Sequence, residues 1–198
     1  MTLEVSQSAL SCQKFSLWIF GSFFDTADNQ FGFKKGLGCN FAVRAVRNIV
    51  ENFTKGGSTS NLCAIDLSKA FDKVNHHALY LKLMKRFIPN ELLDILECWL
   101  SRCYSCVKWY DAWSFLFIVN FGVRQGAVLS PFLFAVYLND LTRSPLLTRG
   151  MFIVLYADDI RLVALLLCSV CMLDKLLKIC ERELDVLDMV INVKNPVV

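Results

Sequence analysis

The chain has 198 residues, 55% of them aliphatic, aromatic or sulfur-containing and 20% charged. That length suits one ordinary domain, and the composition excludes a disordered chain. Net charge is only +3 but unevenly spread: Phe31 to Lys108 holds twelve Lys/Arg and six Asp/Glu, a basic half that suits a polyanion, with ordinary solvated helix faces as the alternative.

In chain order, residues 1–29 show no clear period and form an unassigned segment. The stretch "FSLWIFGSFF" has the length of a signal h-region, but the residues before it carry Glu4 and one cation, Lys14, and no small-residue cleavage site follows. From Gln30 the pattern turns helical. Ala42, Val43, Val46, Ile49, Val50 and Phe53 recur at helical spacing, with Arg44 and Arg47 off the stripe. "NLCAIDL", Asn61 to Leu67, is an apolar run of strand length that ends at Asp66. A helix from His76 is stopped by Pro89, and Asn90 is placed to cap the next, whose stripe is Leu92, Leu93, Leu96, Trp99 and Leu100. His76 and His77 read as an exposed cap region, because adjacent residues do not share a helix face.

"CVKW", a "YDAW" turn and "SFLFIVNF" predict a β-hairpin. After the glycine-bearing loop "GVRQGAV", Ser130 reads as an N-cap with Pro131 at the first helical position, and the helix extends to about Leu141. "MFIVLYADDIRLVAL" predicts strand, tight turn, strand, with Asp158 and Asp159 at the turn. Leu173, Leu176, Leu177, Cys180, Leu184 and Leu187 mark a last amphipathic helix. The longest apolar run, Leu162 to Leu173, has twelve residues, and a membrane span needs about 20. No membrane is therefore expected as a partner. Nine cysteines include two CxxC pairs, Cys103/Cys106 and Cys168/Cys171. They lack the glycine-bearing context of a zinc ribbon and read as reduced thiols in an intracellular compartment, cytoplasm or nucleus. Strands interleaved with long helices predict an α+β fold, an antiparallel sheet with helices packed on one face.

The two adjacent carboxylates in an apolar segment set the chemical question. Burying one unpaired carboxylate is costly, and a second beside it raises the cost. Asp66 also ends an apolar strand. If the strands are neighbours, the carboxylates converge and need a cation. Oxygen ligands without His or Cys suit Mg²⁺ or Mn²⁺. Mg²⁺ usually takes phosphate oxygens as further ligands, so the site is a candidate for phosphoryl or nucleotidyl transfer, where two ions can act together. The competing reading of an Asp-Asp turn is plain turn chemistry.

"AIDLSKAFDKVNHHAL", "GVRQGAVLSPFLFAVYLNDL" and "YADDI" resemble, in order, the palm motifs of reverse transcriptases, closest in flavour to non-LTR (LINE-type) retrotransposons. "QFGFKKGLGC" before them and "CERELDVLDMVINVK" after them fit that subgroup, so the resemblance runs from about Gln30 to Lys194. It implies a right-hand polymerase palm with partial fingers over residues 30–198, acting as an RNA-directed DNA polymerase on RNA template, DNA primer and dNTP with two Mg²⁺ or Mn²⁺ ions. Carried over residue by residue, Asp66 and Asp158 match the metal-binding aspartates, the backbone carbonyl of Leu67 assists, and Asp159 completes the acidic set. Phe71 resembles the steric gate beneath the incoming sugar. Arg124, Gln125 and Gly126 resemble the nucleotide- and template-packing loop. Lys194 resembles the general acid for the leaving pyrophosphate. Lys34, Lys35, Arg44 and Arg47 could track a template backbone by charge. Asp72 is expected to pair with Lys69 or Lys73.

The departures lie at the ends. Residues 11–29 show no "NYRPI"-like fingers stretch with a triphosphate-binding Arg, and the sequence stops at "NPVV", where a thumb would follow. The expectation is a truncated domain with the thumb missing. Its alternative is a non-catalytic retroelement remnant with at most weak nucleic-acid binding. A metal-dependent phosphohydrolase would need neither the "RQG" loop nor Phe71.

Overall fold

The computed structural model describes residues 14, 17, 21–145, 147, 150–165 and 169–192. Its centre is a three-stranded antiparallel sheet. β1 (Ser60–Ile65) pairs with β7 (Asp159–Leu165), which pairs in turn with β6 (Met151–Tyr156), giving the order β1-β7-β6. Alternation along β6 explains both faces. Met151, Ile153 and Leu155 enter the main core, while Phe152, Val154 and Tyr156 face the other way.

The helices follow from their apolar stripes. α1 (Cys39–Lys55) lies on the Val154 face, where Phe53 meets Phe152 edge-on at 6.1 Å. α2 (His76–Met84), α3 (Asn90–Ser101), α4 (Ser130–Leu138) and α5 (Ser169–Val186) build the core on the Ile153 face. α4 is apolar all round and buried from Leu133 to Leu138, as a central helix must be. The expected helix layer is thus present, with α1 added across the opposite face.

Several local readings are corrected. Ser130 is the first residue of α4 rather than its cap: Leu129 holds that position, and the Ser130 Oγ is buried without a partner. Asn90 likewise lies inside α3 behind Pro89 and makes no cap bond. The helix after Ser130 ends at Leu138 and continues as a 3₁₀ turn through Arg143. The predicted hairpin is present as two nested antiparallel pairings, β2 (Tyr104–Ser105) with β5 (Phe117–Ile118) outside β3 (Lys108–Trp109) with β4 (Ala112–Trp113), around a turn at Tyr110 and Asp111. Among the described residues no helix is long and apolar enough to cross a membrane.

Residues 21–33, without a pattern in the sequence up to Gln30, are stitched into the core. Asn139 Oδ1 accepts from the Ala27 amide at 2.6 Å, and Arg86 donates to the carbonyls of Phe23 and Asp25. Next to them, Phe31 N donates to Leu155 O and Leu155 N to Asn29 O, both at 2.9 Å. Residues 29–31 thereby add a short parallel rung to the free edge of β6. Gln30 is fully buried there, its Oε1 accepting from Gly32 N at 3.1 Å.

Gly32 then lies flat against the β6–β7 turn. A Cβ on it would sit 2.3 Å from the Ala157 nitrogen, a backbone clash that no rotamer change relieves. Gly32→Ala should therefore cost about 2 kcal/mol or more, in the range of overpacking, read as a fall of several degrees in melting temperature. Gly21→Ala, where a Cβ meets nothing within 4 Å, should stay near wild type.

Cys180 is buried beneath the sheet, and burial pushes its thiol up to about 12. Below that pH it is a neutral thiol out of reach of solvent. Cys39, Cys98 and Cys171 are exposed. Thiol titration of the native protein at pH 8 should label these three readily and leave Cys180 unmodified until denaturant is added, as peptide mapping would show.

Candidate active site

The end of the sheet gathers the acidic residues. Ile65 is paired with Ile160, and Tyr156 with Asp159, closing a two-residue turn of Ala157 and Asp158. Ala157 has a φ of +57° while Asp158 does not join it in the left-handed region. This is the φ pattern of a type II′ hairpin turn, with a non-glycine residue where strain is expected. Asp66 lies one residue past β1. Continuing the register one step sets Asp66 level with Asp159 and Leu67 level with Asp158.

A second ladder fixes β1's extension. Ser68 N donates to Val190 O at 2.9 Å and Asn192 N to Asp66 O at 2.8 Å, around an antiparallel bridge between Leu67 and Ile191. In such a pair the bridged residue directs its own N–H and C=O to the other edge. The Leu67 carbonyl therefore faces the side on which Asp158 stands.

The two adjacent aspartates are placed differently. Asp158 is half-buried in the turn. Asp159 opens β7, and its Oδ1 lies 3.4 Å from Arg161 Nη1. It lines a small groove under α1 with Val154, Tyr156, Val43 and Val46.

Beside the turn, Phe71 is held on two sides. It stacks on Phe134 at 4.5 Å and meets Phe33 edge-on at 6.0 Å. The loop bearing Arg124, Gln125 and Gly126 is zipped to the same segment, with Gly122 N donating to Val74 O and Val123 N to Phe71 O, both at 2.8 Å. Gly122 has a φ of +82°, and a Cβ there would lie 2.8 Å from the Asp72 Cα, so only glycine permits this closure. His76 Nε2 donates to the Gly122 carbonyl at 2.7 Å. His76 is thus a half-buried clasp rather than an exposed cap residue, while His77 is exposed. Arg124 and Gln125 rim a cleft of about 650 Å³ with Asp72, Tyr104, Phe117 and Gly122. Gly126, at φ +87°, has open space around it.

The remaining candidates are dispersed. Lys34 Nζ donates to the carbonyls of Thr26 and Ala27, at 3.1 and 2.6 Å, and so anchors its own loop. Lys35 and Arg44 are exposed, and Arg47 is exposed and pairs with Glu51 at 2.7 Å. Among the described residues no ion pair joins Asp72 to Lys69 or Lys73, which corrects that expectation. Lys194 and Cys168 lie outside the described residues.

Sequence reasoning misses three contributors. His76 reads as an exposed cap residue, and nothing beyond the stretches that carry the resemblance singles out Asn192 or Gly32. For each, the partner is remote in sequence, at Gly122, Asp66 and Ala157 respectively. The only local signal is that Asn192 and Gly32 lie inside the stretches that extend the resemblance.

Among the described residues no three His, Cys, Asp or Glu side chains gather into a metal-sized cluster. Two carboxylates and one carbonyl, all oxygen donors, still fit Mg²⁺. That ion is usually held by one or two carboxylates, with water and substrate phosphate completing the octahedron.

The reverse transcriptase (RNA-dependent DNA polymerase) family model matches residues 17–194. The chain is 30% identical over 139 residues to a probable RNA-directed DNA polymerase from transposon X-element of Drosophila melanogaster, covering 68% of this chain and 15% of the relative. It is 31% identical over 146 residues to the corresponding protein of transposon BS from the same organism, covering 69% and 15%. The chain thus spans about 15% of the length of these curated relatives. An apo telomerase from Candida tropicalis, truncated from its C-terminal domain, superposes with a TM-score of 0.71 at 14% identity, over 96% of this chain and 40% of that one. The likeness shows the α+β polymerase palm fold. With the family model spanning most of the sequence and relatives among non-LTR retrotransposon polymerases, the chain belongs to the reverse transcriptase family.

Proposed function

We propose that this chain is the catalytic palm of an RNA-directed DNA polymerase, which transfers a nucleotidyl group from a dNTP to a primer 3′-OH on an RNA template. One observation carries the reading: the strand order β1-β7-β6 brings Asp66 and the Asp158 turn to the same end of one sheet. The family match and the retrotransposon relatives support it.

Each residue then has a physical task. Asp66 and Asp158 would hold two divalent cations, with the Leu67 carbonyl directed to the same side. When bound, such a pair activates the attacking oxygen and stabilises the leaving one. Phe71, backed by Phe134, cannot easily retreat, so a bulky ring there excludes a sugar 2′-OH. The Arg124–Gln125–Gly126 loop, locked to Phe71's own carbonyl through Val123, would contact the nucleotide and template. Lys194 would protonate the pyrophosphate. Lys35 and Arg44, exposed and without an ion pair among the described residues, would meet the template backbone.

The test is extension of a DNA primer on an RNA template with dNTPs and Mg²⁺. Asp158→Asn should lower the rate at least about a hundredfold, since electrostatic stabilisation by a metal is worth several kcal/mol. Wild-type extension no faster than this variant would overturn the catalytic reading and favour the remnant. Phe71→Val should raise rNTP use relative to dNTP by about tenfold or more, as one pocket contact is worth 1–3 kcal/mol. The ratio of the two kcat/KM values measures this.

A further inference from the structure

We infer that Asn192 is a positioning residue that presets the Asp66 carboxylate for a divalent cation. This rests on the metal-site reading above.

Asn192 grips one residue twice. Its Nδ2 donates to Asp66 Oδ2 at 2.9 Å, and its backbone N donates to Asp66 O at 2.8 Å. A third bond, from Ser68 N to Val190 O at 2.9 Å, closes the ladder on the other side of Leu67. The arm that carries Asn192 is itself anchored. The Tyr137 hydroxyl donates to Leu187 O at 2.7 Å, Asn75 Nδ2 to Asp188 Oδ2 at 3.0 Å, and Met189 N to Leu184 O at 3.0 Å. Leu187 and Met189 are buried between these points. The amide is therefore delivered to the carboxylate by the core and is not a chance surface contact.

The chemistry of the donor matters as much as its position. A carboxylate has about four lone-pair sites. One amide N–H occupies one site on Oδ2 and leaves Oδ1 untouched. The amide carries no charge, so Asp66 keeps its full negative charge for a cation. A Lys or Arg at this position would neutralise it and compete. Holding the rotamer in advance removes part of the ordering cost of metal binding, as the outer partners of metal ligands generally do.

Mn²⁺ binding to the full chain, followed by loss of the free-ion electron paramagnetic resonance signal, tests this without relying on activity. Asn192→Leu keeps the shape and loses the donor. Asn192→Ala loses the donor while both backbone bonds remain. Each should bind Mn²⁺ about ten- to a hundredfold more weakly than wild type, with the melting temperature within a few degrees. In primer extension each should need correspondingly more metal for half-maximal rate and recover most of it at saturation. Wild-type Mn²⁺ affinity in both variants would overturn the inference. Asp66→Asn separates the levels: if it binds Mn²⁺ as wild type does, the metal-site reading fails and takes the role of Asn192 with it. Weak binding by Asp66→Asn beside normal binding by the Asn192 variants removes only the latter.

Discussion

The fold has to bring two like charges to one end of a sheet. Two unit charges about 4 Å apart repel by roughly 1 kcal/mol in water and roughly 4 kcal/mol near a protein surface. Neither Asp66 nor Asp158 is fully buried, which keeps that cost at the low end. Within one to three residues of them, Ile65, Ile160 and Leu155 are almost wholly excluded from solvent. The carboxylates are thus carried where the strands leave the core. The apolar burial that fixes the strands supplies what the acidic pair costs.

The sheet that does this is mostly non-local. β1 and β7 are separated by almost a hundred residues, and the loops between them carry Phe71 and the Arg124–Gly126 turn. Two short segments then finish the edges. Residues 29–31 add a rung beside β6, and residues 190–192 add one beside the extension of β1. Each closes an edge that would otherwise expose backbone groups, and each touches one acidic element: Gly32 meets the Asp158 turn, and Asn192 meets Asp66. The site is therefore framed from both flanks, by segments that lie at opposite ends of the family match.

What the sequence disclosed follows from the range of each signal. The stripe of α1, the apolar run before Asp66 and the paired runs around "ADD" are periodic within a few residues, and the fold realises them. The pairing of Asp66 with Asn192, of Gly122 with His76 and of Gly32 with Ala157 is not periodic. It depends on which edges meet once the core has formed. Ser130 and Asn90 failed as caps for another reason. Cap preference is worth only about 1 kcal/mol, and each helix starts one residue before the position its cap signal implies. The hairpin region forms as predicted, but its pairings are only two residues each. Trp109, Tyr110, Trp113 and Phe115 there are largely exposed, so strand propensity had no second layer to pack against.

The pair "DD" looks like one feature in the sequence and is two in the structure. Asp158 is a turn residue, free of the ladder. Asp159 is the first member of β7, bound to the pleat, and so is directed with Arg161, two residues on. That pair is about half exposed on both sides, so it stabilises little. Its effect is directional: it keeps the Asp159 carboxylate toward the α1 groove.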